Sequence, residues 1–530
     1  MDAPEDWLLT KEERGNPATS LPAWTSGNRA TALVHGATYF DRLVEEVESL
    51  DKGDHLFFTD WRGDPDEKLR PEGPTVAELL TAAVKRGVCV RGLIWRSHMD
   101  RISMSKDENR SLDVEVEHGG GEVILDQRVR RMGSHHQKFV VLRHDDDPSK
   151  DVAFVGGIDL CHGRRDDAEH GGDPQSVPMA AVYGPHPPWH DVQLELRGPT
   201  VGVLDTVFRE RWDDPNSPDE DHPLAWIHDK LHHTRLHADP LPPQLPRPPE
   251  TGPHLVQNLR TYPAIRPPYN FAPEGERSVA RGYTKAIKRA RRLIYLEDQY
   301  MWSAEVARLF AEALADNPDL HLVVVVPREP DQDGAFAQRP QLVGRWQALE
   351  MCRRAGENRV HVFDVENHIG TPVYVHAKVC VVDDVWASVG SDNFNRRSWT
   401  HDSELSSAVL DTTRDPREPQ DPAGRGDGAR VFARNLRLQL AREHLDLPDD
   451  GARDGEILDP ERFITALNAS AKALDAWHEG GRQGARPPGR LRPHRAERLP
   501  LFTRLWATPV YRLLDDPDGR PLRLRLRKAF

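Results

Sequence analysis

Short apolar runs alternate with amphipathic helical stretches along the first half of the chain. The helical stretches, in which apolar residues recur every three or four positions, are 39–50, 75–86 and 201–212. The strand-like runs are 55–59, 88–95, 138–142, 152–155 and 192–196. Strands and helices in this alternation predict one mixed sheet with helices on its faces.

A similar order of elements recurs in the second half. Helical stretches lie at 278–291, 304–316 and 345–355, and strand-like runs lie at 293–296, 320–326, 360–363 and 373–382. Two halves with similar order predict an internal duplication. We therefore expect an α/β fold made of two repeats, each with a mixed sheet flanked by helices.

A proline-rich stretch without an aromatic residue separates the two halves and predicts a solvated linker at 240–253. The other predicted divisions are an N-terminal extension at 1–27, a first domain at 28–239, a second domain at 254–448 and a C-terminal segment at 449–530. Within that last segment the sequence predicts a helix at 460–477. Its leucine–arginine alternation at 522–527 favours a solvated tail or an edge strand, with contact to anionic lipid head groups as the alternative.

Composition is that of an ordinary globular protein, with 38% hydrophobic residues, 29% charged residues and a mean hydropathy of -0.66. No apolar run approaches the roughly 20 residues of a membrane-spanning helix. The first residues lack the basic and apolar regions of a secretory signal, so we expect a cytoplasmic protein. The net charge of -14 argues against nucleic acid as a partner.

The cysteines predict neither a disulfide framework nor a zinc site. They lie far apart in the sequence and form no CxxC pair: Cys89, Cys161, Cys352 and Cys380.

A strand-like run of the second half carries a histidine and a lysine two positions apart. His376 and Lys378 therefore project from the same face of a strand, into one space. A Gly-Ser element that ends at Ser391 permits close backbone approach, and Asn393 supplies a donor suited to phosphate oxygens. An acidic residue, Glu404, follows shortly afterwards.

The first half contains a counterpart of this pattern. His136 and Lys138 again open an apolar strand. A Gly-Gly element ending at Gly157 follows, Asp159 takes the place of the asparagine, and Asp191 takes that of the glutamate. The tripeptide His-x-Lys is a weak motif alone, but here it recurs at matching positions of both halves, each time with a downstream glycine element. A third match at 228–230 lacks both the strand and the glycine element, and we interpret it as accidental.

These motifs resemble those of the phospholipase D superfamily, in which HxKxxxxD is followed by GSxxN or GGxD, twice in one chain. The similarity covers roughly residues 28–444 and is greatest to the eukaryotic-type branch. It includes His-His-x-Lys, Gly-Gly-Ile-Asp-Leu-Cys-x-Gly-Arg, Trp-His-Asp, Tyr-Leu-Glu-Asp-Gln-Tyr and Tyr-Val-His-Ala-Lys. The resemblance implies two repeats packed face to face around a single active site at their interface.

One position departs from the family pattern. The acid of the motif is Asp383 in the second half, whereas Arg143 stands at the corresponding place in the first half. The hairpin that follows is longer than usual, and its aspartates could replace the missing acid: Asp145, Asp146, Asp147 or Asp151. Because this acid looks structural in the family, the departure concerns the local hairpin more than the reaction.

The resemblance implies a two-step reaction through a phosphohistidine. Neutral His136 attacks phosphorus, while protonated His376 donates a proton to the leaving alcohol and then deprotonates the molecule that resolves the intermediate. The lysines hold phosphate oxygens, and Asp191 and Glu404 orient the imidazoles, either within their own halves or crossed. No carboxylate-rich constellation lies beside the motifs, so we expect chemistry that needs neither a metal nor another cofactor.

The predicted catalytic residues are His136, Lys138, Asp191, His376, Lys378, Asp383 and Glu404, and the predicted phosphate-binding residues are Gly157, Asp159, Ser391 and Asn393. Two polar residues at the end of a strand, Glu297 and Gln299, stay outside the catalytic set. Histidines such as His170 and His190 are expected to be solvated or satisfied by neighbours, although His190 lies beside Asp191.

The resemblance favours a monomeric enzyme that hydrolyses the head-group phosphodiester of phospholipids, or transfers the phosphatidyl group to another alcohol, in peripheral contact with a membrane. Phosphatidyl transfer of the cardiolipin-synthase type is the first alternative, and nuclease-type cleavage is the second. A non-enzymatic binding protein is disfavoured because both His-x-Lys pairs are intact.

Overall fold

The computed structural model describes residues 4–97, 106–218, 238–527 and 529–530. The third His-x-Lys match, at 228–230, lies outside these ranges. Within them, no helix combines the length and apolar character that crossing a bilayer requires.

The first half forms a mixed sheet with the spatial order β4–β3–β2–β5–β6–β8–β1. β2, β3 and β4 run parallel, and the remaining neighbours pair antiparallel. The strands are β1 (Thr25–Val34), β2 (His55–Asp60), β3 (Cys89–Trp95), β4 (Glu122–Asp126), β5 (Phe139–Arg143), β6 (Val152–Gly156), the short β7 (Trp189–His190) and β8 (Val192–Arg197).

The second half repeats this arrangement in the spatial order β13–β12–β11–β15–β16–β17–β9, with β11, β12 and β13 parallel. The strands are β9 (His254–Tyr262), β10 (Glu276–Arg277), β11 (Leu293–Asp298), β12 (His321–Val325), β13 (Val360–Glu366), β14 (Pro372–Val375), β15 (Lys378–Val382), β16 (Trp386–Gly390), β17 (Glu404–Asp411) and β18 (Leu491–Pro493). The predicted α/β fold with two repeats is confirmed.

Some helices cover the outer faces of the sheets, and others contribute apolar side chains to a cluster that both halves share. They are α1 (Lys11–Arg14), α2 (Gly36–Glu48), α3 (Val76–Arg86), α4 (Lys106–His118), α5 (Pro199–Trp212), α6 (Ser278–Arg289), α7 (Ala304–Asp316), α8 (Ala335–Gly356), α9 (Arg396–Thr400), α10 (Val431–Leu445), α11 (Pro460–Glu479), α12 (Leu501–Val510) and α13 (Leu522–Arg527). Short 3-10 or π turns lie at Pro4–Asp6, Pro148–Lys150, Ala181–Tyr183, Glu357–Arg359, Asp454–Glu456 and Tyr511–Asp515.

One buried apolar cluster is shared by both halves. On β5, Phe139 and Val141 point into this cluster, whereas Val140 and Leu142 point to the outer face beneath the helices. Strand β6 of the first sheet contacts β16 and β17 of the second, and β1 pairs with β9 at one edge. The interface between the halves is therefore a continuous core.

The C-terminal segment differs from its prediction at one point. The alternation at 522–527 forms helix α13 in place of an edge strand, and the Arg525 side chain binds the backbone carbonyls of Asp518 and Arg520. Leu522 and Leu526 stay exposed on this helix.

Candidate active site

Strand pairing brings the second-half histidine against a first-half carboxylate. β7 pairs in parallel with β14, so that Asp191, which follows β7, reaches His376, which follows β14. The Nδ1 atom of His376 lies 2.6 Å from an Asp191 carboxylate oxygen, and both side chains are buried. The imidazole also packs on Trp189, with ring centroids 4.8 Å apart. These contacts fix the orientation of the ring and leave its Nε2 atom for another partner.

A reciprocal pair joins the first-half histidine to the second half. The backbone N–H of His136 donates to the carbonyl of Ser403, and its Nδ1 atom lies 3.0 Å from a carboxylate oxygen of Glu404. The Ser391 hydroxyl donates to the same carboxylate oxygen at 2.5 Å. Each imidazole therefore contacts the acid of the opposite half, which is the crossed arrangement of the two that the sequence left open.

Both motif lysines are buried beside the imidazoles. Each ammonium group donates to the backbone carbonyl of the histidine two positions before it. The Nζ atom of Lys138 lies 3.5 Å from a carboxylate oxygen of Asp159, and that of Lys378 donates to the side-chain oxygen of Gln299 at 3.4 Å. Two ammonium groups thus accompany two imidazoles in one buried cluster.

The electrostatics of this cluster favour the binding of an anion. Burial lowers the pKa of His136 and of His376 well below the usual value, and the two neighbouring ammonium groups add to the effect. Burial and the repulsion of Lys138 lower the pKa of Lys378 to about 8. Burial, with nearby Asp402 as a smaller cause, raises the pKa of Glu404 to about 8. A bound phosphodiester would stabilise the protonated cations and offset their mutual repulsion.

Two of the predicted phosphate-binding residues lie against the carboxylates. Ser391 donates to Glu404, as described above. A Cβ atom at Gly157 would lie 2.2 Å from a carboxylate oxygen of Asp191. Glycine at this position therefore leaves room for Asp191 to reach its histidine.

The other two predicted phosphate-binding residues, Asn393 and Asp159, carry different side-chain groups and have different contacts. Asn393 is buried, and its side-chain oxygen has no hydrogen-bond partner among the residues that the structure describes. Asp159 accepts the backbone N–H of Trp61 at 3.1 Å and pairs with Lys138. Its contact with Lys138 supports a role in holding the lysine, and its role as a phosphate-binding residue stays a prediction.

The structure does not bring Asp383 to this cluster. Asp383 lies beyond the far end of β15, five residues or about 16 Å along the strand from Lys378. Its carboxylate accepts three backbone N–H groups at 2.8 Å, from Arg291, Arg292 and Leu293. Its prediction as a catalytic residue is therefore wrong, since the side chain anchors the start of β11.

The corresponding place in the first half is filled differently. Arg143 is fully buried and binds Asp151 at 2.6 Å and Asp205 at 2.5 Å. Of the four aspartates that could replace the missing acid, Asp151 is the buried one, and it also accepts the backbone N–H of His144. An arginine–carboxylate pair thus secures this hairpin.

Two further residues of the cluster were not assigned from the sequence. The Arg164 guanidinium lies 3.9 Å from the centroid of the Trp189 ring and contributes to the lowered pKa of His376. Gln299 binds Lys378 and also donates to the Tyr374 hydroxyl at 2.9 Å. The signals were present, because Arg164 ends the Gly-Gly-Ile-Asp-Leu-Cys-x-Gly-Arg motif and Gln299 follows the end of β11.

Comparison with known families gives two matches that together extend over most of both repeats. Residues 66–309 match the family described as Phospholipase D. Residues 283–414 match the family described as Cardiolipin synthase, PLD-like domain.

Among known proteins, the chain is similar to phospholipase D alpha 1 of Ricinus communis, with 24% identity over 83% of this chain and 68% of the relative. Phospholipase D alpha 2 of Oryza sativa subsp. japonica is 26% identical over 77% of this chain and 62% of its own length. Phospholipase D A of Dictyostelium discoideum is 26% identical over 77% of this chain and 35% of its own length. The chain thus spans 68% or less of these relatives.

Among solved structures, the phosphatidylserine synthase of Haemophilus influenzae aligns with a TM-score of 0.49 and 12% identity, covering 76% of this chain and 86% of that protein.

Proposed function

Because the chain belongs to the phospholipase D superfamily, we propose that it cleaves the head-group phosphodiester of phospholipids, releasing phosphatidate and an alcohol or transferring the phosphatidyl group to a second alcohol. One observation carries the proposal: two imidazoles, each held by a carboxylate of the opposite half, lie with two buried ammonium groups. Such a site offers a nucleophile, a proton donor and charge stabilisation together.

In the first step, the Nε2 lone pair of His136 forms a bond to phosphorus and the bond to the leaving alcohol breaks. The ionised form of Glu404 supports this role, since a carboxylate that accepts the Nδ1–H keeps the lone pair on Nε2. His376, protonated when the anionic diester is bound, donates its Nε2 proton to the leaving oxygen. The ammonium groups of Lys138 and Lys378 stabilise the charge on the phosphoryl oxygens.

In the second step, neutral His376 accepts a proton from water or an alcohol as that oxygen attacks phosphorus. The phosphorus–nitrogen bond to His136 breaks and its imidazole returns to the neutral state. The contact of His376 with Asp191 supports both steps because the carboxylate stabilises the imidazolium and fixes the ring. The two steps together consume one diester and one water or alcohol.

Phosphatidyl transfer of the cardiolipin-synthase type is the second candidate, supported by the match of residues 283–414 to that family. It uses the same two steps and differs in the alcohol that resolves the intermediate. One assay therefore addresses both candidates.

The assay offers phosphatidylcholine in mixed micelles with added ethanol, in a brief incubation with EDTA, and follows choline and phosphatidylethanol by mass spectrometry. We expect both products from the unaltered protein and neither from His136→Ala. Separate incubations offer an aryl diester or DNA. Cleavage of either one, with neither product formed from phosphatidylcholine, would refute the proposal that the substrate is a phospholipid. In a parallel incubation that also contains phosphatidylglycerol, transfer to its head-group alcohol in preference to ethanol and water would favour the second candidate.

We further propose that helix α12 makes peripheral contact with the lipid surface. Three of its apolar side chains are at least 64% exposed, Leu501, Phe502 and Leu505, and Phe336 beside it is 84% exposed. The segment that follows α12 lies near the site, because Arg397 in α9 donates to the carbonyl of Leu514 and also pairs at 2.7 Å with Asp402, the neighbour of Glu404. An apolar face next to arginines complements an anionic bilayer.

Vesicle sedimentation tests this contact with the variant Leu501→Ser/Phe502→Ser/Leu505→Ser. We expect at least a tenfold loss of binding to phosphatidylglycerol vesicles and of activity on them, with unchanged turnover of a soluble short-chain diester. A variant that sediments like the unaltered protein would exclude α12 as the contact.

A further inference from the structure

A second polar cluster lies behind the candidate active site, where the two halves meet. It contains His35 after β1, His170 in the loop before β7, His190 in β7 and Glu443 in α10. The histidines are buried, and the Glu443 side chain is 9% exposed. Three imidazoles from separate segments of the first half thus surround one carboxylate of the second.

The imidazole nitrogens converge on this carboxylate. The Nε2 atoms of His35 and His170 lie 2.7 and 2.9 Å from Glu443 oxygens, and the Nδ1 atom of His190 lies 3.2 Å away. The four ligand atoms all fall within 4.8 Å of one another. In a tetrahedral zinc site with bonds of about 2.0–2.1 Å, ligand atoms are about 3.3 Å apart. To reach that geometry, the distances from the imidazole nitrogens to Glu443 would lengthen, and the longest separations, which lie within 4.8 Å, would shorten.

Further groups surround the cluster in the way that supports metal-binding histidines. The Nε2 atom of His190 lies 2.7 Å from a carboxylate oxygen of Glu297, whose other oxygen lies 2.7 Å from Nε2 of His444. The Nδ1 atom of His170 lies 3.7 Å from a carboxylate oxygen of Asp166. A carboxylate behind a ligating histidine fixes its tautomer and raises its basicity.

Charge balance points to a cation at this position. Glu297 and Glu443 bring two negative charges against the imidazoles of His35, His170, His190 and His444. Buried carboxylates need paired charge, which either two protons on the imidazoles or one divalent ion supplies. A divalent ion satisfies both carboxylates while it leaves each imidazole neutral, the form in which histidine binds metals.

We propose that the three histidines and Glu443 bind one divalent transition-metal ion of the zinc class, as a closed structural site. This differs from the sequence-based prediction of no metal, which considered the cysteines and the surroundings of the motifs. The ligands come from positions 35, 170, 190 and 443, and no sequence spacing connects them.

The site would support the catalytic histidine without touching the reacting atoms. The backbone carbonyl of His190 accepts the N–H groups of His376 and Ala377 at 2.8 and 3.2 Å. The residue after His190 is Asp191, which orients His376. An ion bound to His190 would therefore fix both supports of that imidazole.

Metal analysis of the full-length protein tests the proposal without reference to activity. After expression with added zinc, brief EDTA treatment and gel filtration, we expect about one equivalent of zinc per chain. X-ray absorption should show nitrogen and oxygen ligands at about 2.0–2.1 Å and no sulfur. The cobalt-loaded protein should show the visible absorption of a tetrahedral site.

Two variants locate the ion. His35→Ala should retain less than a tenth of the metal, whereas His368→Ala, which removes a partly exposed histidine outside the cluster, should retain all of it. The proposal would be overturned if folded, unaltered protein contains no zinc, cobalt, iron or manganese. Protons on the imidazoles would then balance the charge of the buried carboxylates. Equal zinc content in folded His35→Ala and in unaltered protein would also overturn it.

Discussion

Single residues of the candidate site act mainly by holding others in place. Gly157 leaves room for Asp191, and Ser391 holds Glu404. Sequence reasoning found these residues because a glycine element recurs at matching positions of the two halves and ends at Gly157 in the first and at Ser391 in the second. It predicted phosphate contacts for them, which stay predictions, and it missed their contacts with the two carboxylates, since a sequence does not show which side chains meet in the fold.

Gly157→Ala tests the packing against Asp191. The added Cβ would lie 2.2 Å from a carboxylate oxygen and displace the acid from His376. Loss of such a supporting contact typically costs about 10- to 100-fold, so we expect a fall of that size in kcat with little change in KM. Gly455→Ala is the control, because nothing lies within 4 Å of a Cβ there. Equal kcat in the two variants would refute the supporting role.

The lowered pKa of Lys378 predicts an alkaline limit to activity. The ammonium is charged below its pKa of about 8 and neutral above it, so phosphate binding weakens as the pH rises through that value. We expect kcat/KM for a soluble diester to rise toward pH 8 as Glu404 ionises and to fall above pH 8 as Lys378 loses its charge, since this parameter reports groups of the free enzyme. Lys378→Arg, less active but permanently charged, should lack this limb. The same limb in both proteins would assign it to another group.

At the scale of elements, sequence patterns predicted the strands that carry apolar residues on both faces, such as β5 and β15. They missed β9, although it pairs with β17 along its length and joins the two sheets through β1. The polar residues Gln257, Asn258 and Arg260 interrupt its apolar pattern. All three are buried and bonded, to Leu9, Ser407 and Glu276 among others, and partners so distant in sequence leave no local signal.

The hairpin between β5 and β6 supplies a stability prediction. Arg143→Ala would leave Asp151 and Asp205 buried without their shared cation, which typically costs about 3–5 kcal/mol. We expect a loss of this size in the free energy of unfolding by urea. The exposed pair between Arg354 and Glu350 is the comparison, and Arg354→Ala should cost less than about 1 kcal/mol. Similar losses in the two variants would contradict the structural role of Arg143.

For the whole molecule, the duplication could be recognised from the order of elements and the paired motifs. The sequence could not decide between crossed contacts and contacts within each half, because His136 and Glu404 are 268 residues apart and each half offers one acid. The histidine cluster at the domain interface was equally hidden. Its ligands look like isolated polar residues until the fold brings their segments together.

The crossed contacts and the shared core predict that neither half acts alone. Fragments 1–253 and 254–530, expressed separately, should show no diesterase activity because each lacks the acid that orients its histidine. Expressed together, they should regain activity through the common apolar cluster. The control is the same pair of fragments with His376→Ala. Turnover by a single purified fragment would contradict the crossed assignment.

Trapping of the covalent intermediate tests the central claim most directly. A phosphatidyl ester of p-nitrophenol needs no acid to expel its leaving group, so His376→Ala should form the intermediate and fail to resolve it. We predict a burst of one equivalent of p-nitrophenolate and a phosphatidyl adduct on the peptide that contains His136. A burst from His136→Ala, with the adduct on His376, would contradict the account.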